Sequence, residues 1–239
     1  MNLYAWGEAA ASLFFPQRYC VGCGAPSPGQ PLCPACHSAM LAGRSCPRCA
    51  SFIAASETAA YLCPECRHKQ PAFSAASAAL PYAGHLRQVL IAFKYEQKTG
   101  YRRPLARLLI EQYQMHCGDY ACDAVTPVPL HARRLRERGY NQAELLSALF
   151  AAATGLPHHP ELLSRRGETP PLAELSRRER IKALRGVFEA SPGALGLRIL
   201  LIDDIFTSGA TLESCSRALL AAGAAEIRCL TVAAGQALP

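Results

Sequence analysis

Nowhere in the 239 residues do eighteen apolar side chains run together without a charge, which excludes a membrane-spanning helix. The chain also lacks a GxxxxGK segment followed by Ser or Thr, so a P-loop nucleotide triphosphatase is excluded. No Lys or Arg precedes Arg18, and Glu8 interrupts the apolar opening. The first fifteen residues therefore read as a short amphipathic lead-in helix, not an export signal, and a cytoplasmic protein without membrane insertion is expected. At 50% hydrophobic and 18% charged residues, the chain has material for a full core. That excludes a disordered tail, a collagen and a coiled coil, and leaves one or two globular domains.

Cysteine, by contrast, is abundant: twelve residues, eight of them in four CxxC pairs before residue 67. The pairs are Cys20 with Cys23, Cys33 with Cys36, Cys46 with Cys49, and Cys63 with Cys66. Two thiolates on one tight turn grip a metal ion from the same side, and a second pair completes a tetrahedron. Disulfides would need an oxidising compartment, and a redox centre would use one pair at a helix start instead of four in series. Two structural Zn²⁺ sites follow. Gly43-Arg44-Ser45 reads as a linker between self-similar halves, so sequential pairing into two zinc ribbons is expected, with an interleaved, cross-braced module as the alternative. Cys117, Cys122, Cys215 and Cys229 are scattered and read as small packing residues.

Metal changes the charge balance. The formal net charge is +7, and each Zn²⁺ with four thiolates contributes −2, which brings the loaded chain to +3. Residues 1–70 then carry −2 while residues 71–239 keep +5, so bulk attraction to phosphates belongs to the second part of the chain.

After Pro71 the pattern alternates between strand and helix. Strands are expected over Ala75–Tyr82, Ala124–Val128, Leu197–Ile202 and Glu226–Val232. Helical spacing marks Leu86, Val89, Leu90 and Phe93, then Leu105, Leu108, Leu109 and Gln112, then Leu135–Phe150 with a break at Gly139, and finally Gly209–Ala222. This alternation predicts an α/β fold with a mostly parallel sheet covered on both faces, whose ligands bind at the carboxyl ends of the strands. The expected domains are a small double zinc-ribbon module over 1–70 and an α/β domain over 71–239.

The segment Ile199-Leu200-Leu201-Ile202-Asp203-Asp204-Ile205-Phe206-Thr207-Ser208-Gly209-Ala210-Thr211 is the most informative. An apolar strand runs into two acids and then into a Thr-Ser-Gly-Ala-Thr turn that opens a helix. Free N–H groups at that helix start, with the hydroxyls, form an anion cradle, and Gly209 permits close approach. Two carboxylates in the phosphate's own place would repel it, so they should face neutral hydroxyls beside it. Phosphate plus vicinal diol describes a ribose 5-phosphate. Helix capping alone accounts for one hydroxyl, not for the acids and the whole turn.

This segment closely resembles the phosphoribosyl pyrophosphate (PRPP) signature of type I phosphoribosyltransferases, and the whole chain resembles the ComF family of competence proteins. Further segments carrying the resemblance are Phe93-Lys94-Tyr95, Pro127-Val128-Pro129-Leu130, Arg134 through Arg138-Gly139-Tyr140-Asn141-Gln142, and Leu175-Ser176 with Arg180. The resemblance implies an amino-terminal zinc ribbon before a type I phosphoribosyltransferase-like domain. It implies that Asp203 and Asp204 hold the ribose hydroxyls and that Thr207, Ser208, Gly209, Ala210 and Thr211 hold the 5-phosphate. Arg134 and Arg138 would meet pyrophosphate, with Arg178 and Arg180 as further anion contacts and Mg²⁺ bridging pyrophosphate and ribose.

Residues 131–185 carry 11 Arg and Lys against 6 acids, the full excess of the second domain. They frame a Gly-Glu-Thr-Pro-Pro loop and could form either a flap over pyrophosphate or a groove for single-stranded DNA. Leu172 and Ala183 stand where the family pattern commonly has Gln and Asn, so polar groups are missing from that flap. Three functions remain in view: a ComF-like protein of DNA uptake that binds PRPP and works with other DNA-uptake proteins, an active phosphoribosyltransferase on an unidentified acceptor, and a single-stranded DNA-binding module.

Overall fold

The computed structural model describes residues 18–53, 62–117, 120–170 and 175–236. The expected lead-in helix and Leu172 lie outside these residues, as do the side chains of Arg177 and Arg178.

The cysteine-rich region is an internal repeat. Each half begins with a CxxC knuckle closed by an antiparallel bridge, Tyr19 to Pro26 and then Ser45 to Phe52. Each ends with a CxxC that opens a short helix, α1 (Pro34–Ala42) after Cys33 and α2 (Pro64–His68) after Cys63. Proline at the first helical position suits such starts, because its missing N–H would have had no partner there. Gly43 ends α1, as expected of a linker.

Four strands then form an all-parallel sheet in the order β1 (Ala75–Pro81), β6 (Glu226–Ala234), β5 (Arg198–Phe206), β2 (Ala124–Pro127). Crossovers run through α3 (Gly84–Tyr95), α4 (Arg102–His116), α5 (Ala132–Arg138), α6 (Gln142–Thr154) and α8 (Ala210–Ala221). Alternate residues of β5 explain the layers. Ile199 and Leu201 pack with Leu212, Cys215 and Leu219 of α8, whereas Leu200 and Ile202 pack with Leu90, Phe93, Leu105, Leu109, Leu146 and Phe150 of α3, α4 and α6. All are buried, and each large side chain so removed from water contributes about 1.5–3 kcal/mol before entropy is counted.

The break expected at Gly139 divides the helical stretch over Leu135–Phe150 into two helices. Gly139 adopts φ +84°, a left-handed conformation that ends α5, and Asn141 starts α6 by accepting from Ala143 N–H at 3.2 Å. Asn141 Nδ2 also donates to the Val128 carbonyl at 3.0 Å, which ties α6 to the end of β2. Beyond the sheet, β3 (Leu163–Arg165) and β4 (Phe188–Ala190) form a separate antiparallel pair, with α7 (Arg177–Ala183) between them in sequence. A capping box starts α7: Ser176 N–H donates to the Glu179 carboxylate at 2.7 Å, and Glu179 N–H to Ser176 Oγ at 3.4 Å.

Each half of the repeat docks on a different face of the sheet. The first half packs Cys20, Val21, Leu32 and Met40 into the α3/α4/α6 core, where Arg107 also donates to the Gly29 carbonyl at 2.8 Å. The second half packs Cys46, Cys49, Cys63 and Cys66 into the α8 core. Phe52 N–H donates to the Gly235 carbonyl at 3.1 Å, and Gly235 N–H to that of Phe206 at 2.8 Å, which links this half to the end of β5.

Candidate ribose-phosphate site

β5 runs further than its apolar stretch suggests. Asp203 and Asp204 lie inside the strand, which ends only at Phe206. Strand alternation sends the two acids toward opposite faces, yet both line one cavity of about 490 Å³ at the carboxyl end of the sheet. Asp204 is buried and pairs with Lys94 of α3, whose Nζ lies 2.9 Å from Oδ2. Burial opposes the Lys94 ammonium, but the charges of Asp204 and Asp203 outweigh it and hold its pKa above the ordinary lysine value. Asp203 accepts from Asp204 N–H at 2.9 Å. Burial first, and then the charge of Asp204, push its pKa up to about 8, far above the ordinary carboxyl value.

The turn after β5 is shaped for an anion. Gly209 has φ +72°, a left-handed conformation, and a Cβ there would come within 2.7 Å of the Phe206 ring. No side chain caps α8, so its first N–H groups face the cavity beside Thr207, Ser208, Ala210 and Thr211. Arg180 of α7 reaches across from the flap, with Nη1 3.4 Å from Thr207 Oγ1 and Nε donating to the Leu175 carbonyl at 2.9 Å.

Opposite the turn, α5 contributes Arg134 and Arg138, the latter 5.1 Å above the Tyr95 ring. Arg165 enters from β3, stacks 5.5 Å over Phe188 and donates to Thr169 Oγ1 at 2.5 Å. Six Lys and Arg side chains line the cavity against three carboxylates. A net-positive chamber with two acids at one end, Asp204 buried and Asp203 half-buried, suits a ligand that is anionic in one part and hydroxyl-bearing in another.

The structure thus brings Asp203, Asp204, Thr207, Ser208, Ala210, Thr211, Arg134, Arg138 and Arg180 to one chamber, with Gly209 shaping its turn. The side chain of Arg178 lies outside the described residues. Ala183 ends α7. Two site residues escaped assignment from sequence. Lys94 sits in an amphipathic helix where a lone lysine reads as surface, although it belongs to the Phe93-Lys94-Tyr95 segment. Arg165 was one of many flap arginines, and no local pattern separates it from Arg166.

Each set of four cysteines also converges. Cys20, Cys23, Cys33 and Cys36 form one cluster and Cys46, Cys49, Cys63 and Cys66 another, with all ligand atoms of a cluster within 4.8 Å of one another, the sequential arrangement. Sulfur separations of 3.7 Å between Cys23 and Cys33 and 3.5 Å between Cys49 and Cys63 are far from a disulfide. They are close to the edge of about 3.8 Å that four Zn–S bonds of about 2.3 Å would give. In the second cluster the hydrogen bond from Cys49 pulls Cys46 down to about 4, while burial pushes Cys66 up to about 12. Four sulfurs so close together could hold a cation, which would keep them as thiolates, and the donor set fits a zinc-type ion.

Comparison with known proteins gives consistent findings. The family model for the phosphoribosyl transferase domain matches residues 152–238. Competence protein F of Haemophilus influenzae is 28% identical over 207 residues, which cover 82% of this chain and 87% of that protein. DNA utilization protein YhgH of Salmonella typhimurium is 28% identical over 169 residues, covering 70% of this chain and 74% of that one. Competence protein ComFC of Bacillus subtilis is 35% identical over 102 residues, 42% of this chain and 40% of that one.

Proposed function

We propose that this chain, which resembles the ComF family of competence proteins and matches the phosphoribosyl transferase domain model over residues 152–238, is a cytoplasmic DNA-uptake protein whose α/β domain binds PRPP. One observation carries the ligand assignment: Asp203 and Asp204, the latter buried and paired with Lys94, stand next to a helix start without a side-chain cap in a net-positive chamber. Asp203 and Asp204 take the ribose hydroxyls, and the turn Thr207 to Thr211 takes the 5-phosphate through backbone N–H groups and hydroxyls. Arg134 and Arg138 take the pyrophosphate, Arg180, already at the turn, closes over it, and Arg178 is a further candidate anion contact.

Lys94 already pairs with Asp204, so the protein's own donors make a poor Mg²⁺ site. The ion would arrive with the pyrophosphate oxygens and neutralise charge on the leaving group. Residues 1–70 form the double ribbon, loaded with two structural Zn²⁺, and residues 71–239 form the ligand domain. Among the described residues no helix is long and apolar enough to cross a membrane.

Thermal unfolding of the metal-loaded protein tests this reading. PRPP with Mg²⁺ should raise the midpoint more than ribose 5-phosphate or pyrophosphate alone, because only PRPP engages the acids, the turn and the arginines together. An equal response to pyrophosphate alone would reduce the site to a generic anion patch. Pyrophosphate release that requires an added acceptor would extend the function from binding to transfer.

A further inference from the structure

A second cavity, of about 470 Å³, lies against the same turn. Arg180, Thr207, Ser208 and Ala210 line both cavities, so a phosphate on the turn stands at their junction. The second cavity differs in character. Its walls include Phe73, Phe206, Ile181 and Leu175, and the rings of Phe73 and Phe206 meet edge to face at 6.5 Å. Two carboxylates, Glu65 and Glu213, line it together with the cations Lys69 and Arg180, and Glu213 is already engaged by Arg217 at 2.6 Å and by Ala72 N–H at 2.7 Å. With its charges balanced and its walls aromatic and apolar, this cavity suits a flat, uncharged group better than a further phosphate.

Chemistry limits what can extend past a 5-phosphate in that direction. The remaining phosphate oxygen of a nucleotide is esterified, in a nucleic-acid strand, to the 3′ oxygen of the preceding nucleoside. We propose that the second cavity receives that preceding nucleoside, so that the two cavities and the turn together hold the last two nucleotides of a single strand. This rests on the ribose-phosphate reading of the first cavity. The strand must end there: a 3′-phosphate would be driven against Asp203 and Asp204, whereas a free 3′-hydroxyl is what those acids accept. The site therefore selects 3′-hydroxyl ends, and PRPP competes with them.

Calorimetry on the metal-loaded full chain tests this with PRPP and three defined probes. These are the thymidine dinucleotide with a free 3′-hydroxyl, the same dinucleotide carrying a 3′-phosphate, and thymidine 5′-methyl phosphate, which keeps the diester but lacks the first nucleoside. The free dinucleotide should bind about tenfold tighter than the methyl ester, as one stacked base provides, and PRPP should displace it. The 3′-phosphate should cost a similar factor. Ile181→Trp, which fills the second cavity, should abolish the dinucleotide's advantage and keep PRPP binding within twofold. Leu175→Trp serves the same purpose should Ile181→Trp not fold, with PRPP binding as the folding control. PRPP binding without a dinucleotide advantage, or equal affinity for the 3′-phosphate, overturns the strand-end assignment and leaves the PRPP site standing. Absence of binding by PRPP and dinucleotide alike to the folded wild type overturns both.

Discussion

The two faces of the sheet each carry one four-cysteine cluster, built on the same repeat, yet only one of them adjoins the ligand site. On the α3/α4/α6 face, Cys23 is exposed, Cys33 and Cys36 are half-buried and only Cys20 is buried, and that half of the repeat reaches the core through Cys20, Val21, Leu32 and Met40. On the α8 face all four cysteines are buried and share a core with Phe206, Ala210 and Leu212, and Cys49, Cys63 and Cys66 border the cavity behind the phosphate turn. Identical motifs thus serve different ends. The first cluster staples a surface extension, while the second is part of the wall that shapes Thr207 to Ala210.

The largest test of this contrast removes one cluster at a time. Cys46→Ser with Cys49→Ser should unfold the region or lower its stability by several kcal/mol and abolish ligand binding, since metal and fold are coupled there. Cys20→Ser with Cys23→Ser should release one metal ion per chain and leave ligand affinity within about threefold, a margin of roughly 0.6 kcal/mol. Metal analysis together with hydrogen exchange at Thr207 to Leu212 reads both; equal protection loss in the two variants would dissolve the distinction between the faces.

The acid pair straddles the same divide, and its members should respond in opposite senses. Lys94→Ala leaves Asp204 buried without its counter-charge and should cost about 3 kcal/mol in chemical denaturation. Asp203→Asn should instead stabilise the ligand-free protein. The folded-state pKa of about 8 lies above the usual carboxyl value, so the folded chain holds a proton that the unfolded chain has lost, and stability falls as pH rises from about 4 to 8. The gain from Asp203→Asn should be on the order of a few kcal/mol near pH 8 and vanish near pH 4. A variant less stable than wild type at pH 8 would contradict the environment assigned to Asp203. The smallest effect is expected from Gly209→Ala, where strain at φ +72° and the approach to Phe206 should cost about 1–2 kcal/mol and weaken anion binding.

Much of this was legible in the chain. β5 announces itself by the continuous apolar run Ile199 to Ile202, because a parallel sheet covered on both faces buries both sides of a central strand, as Leu200 and Leu201 show. The signature turn was readable because Thr-Ser-Gly-Ala-Thr after two acids has few other physical explanations. The expected strand nevertheless stopped at Ile202, since acids interrupt the apolar run; only the Lys94 ion pair makes Asp204 tolerable inside it. The β3–β4 pair was missed because each strand is three residues long, too short for any periodicity. The docking of the second cluster against the phosphate turn was also invisible, since it joins Phe52 to Gly235 across most of the chain and leaves no local pattern.

The most direct measurement is a calorimetric titration of the metal-loaded protein with PRPP and Mg²⁺, run beside the Asp203→Asn, Asp204→Asn double variant. Saturable binding at one site per chain, lost in a double variant that remains folded, is the predicted result. A folded wild type that takes up no PRPP, or a double variant that binds it as well as wild type does, would contradict the ribose-phosphate assignment.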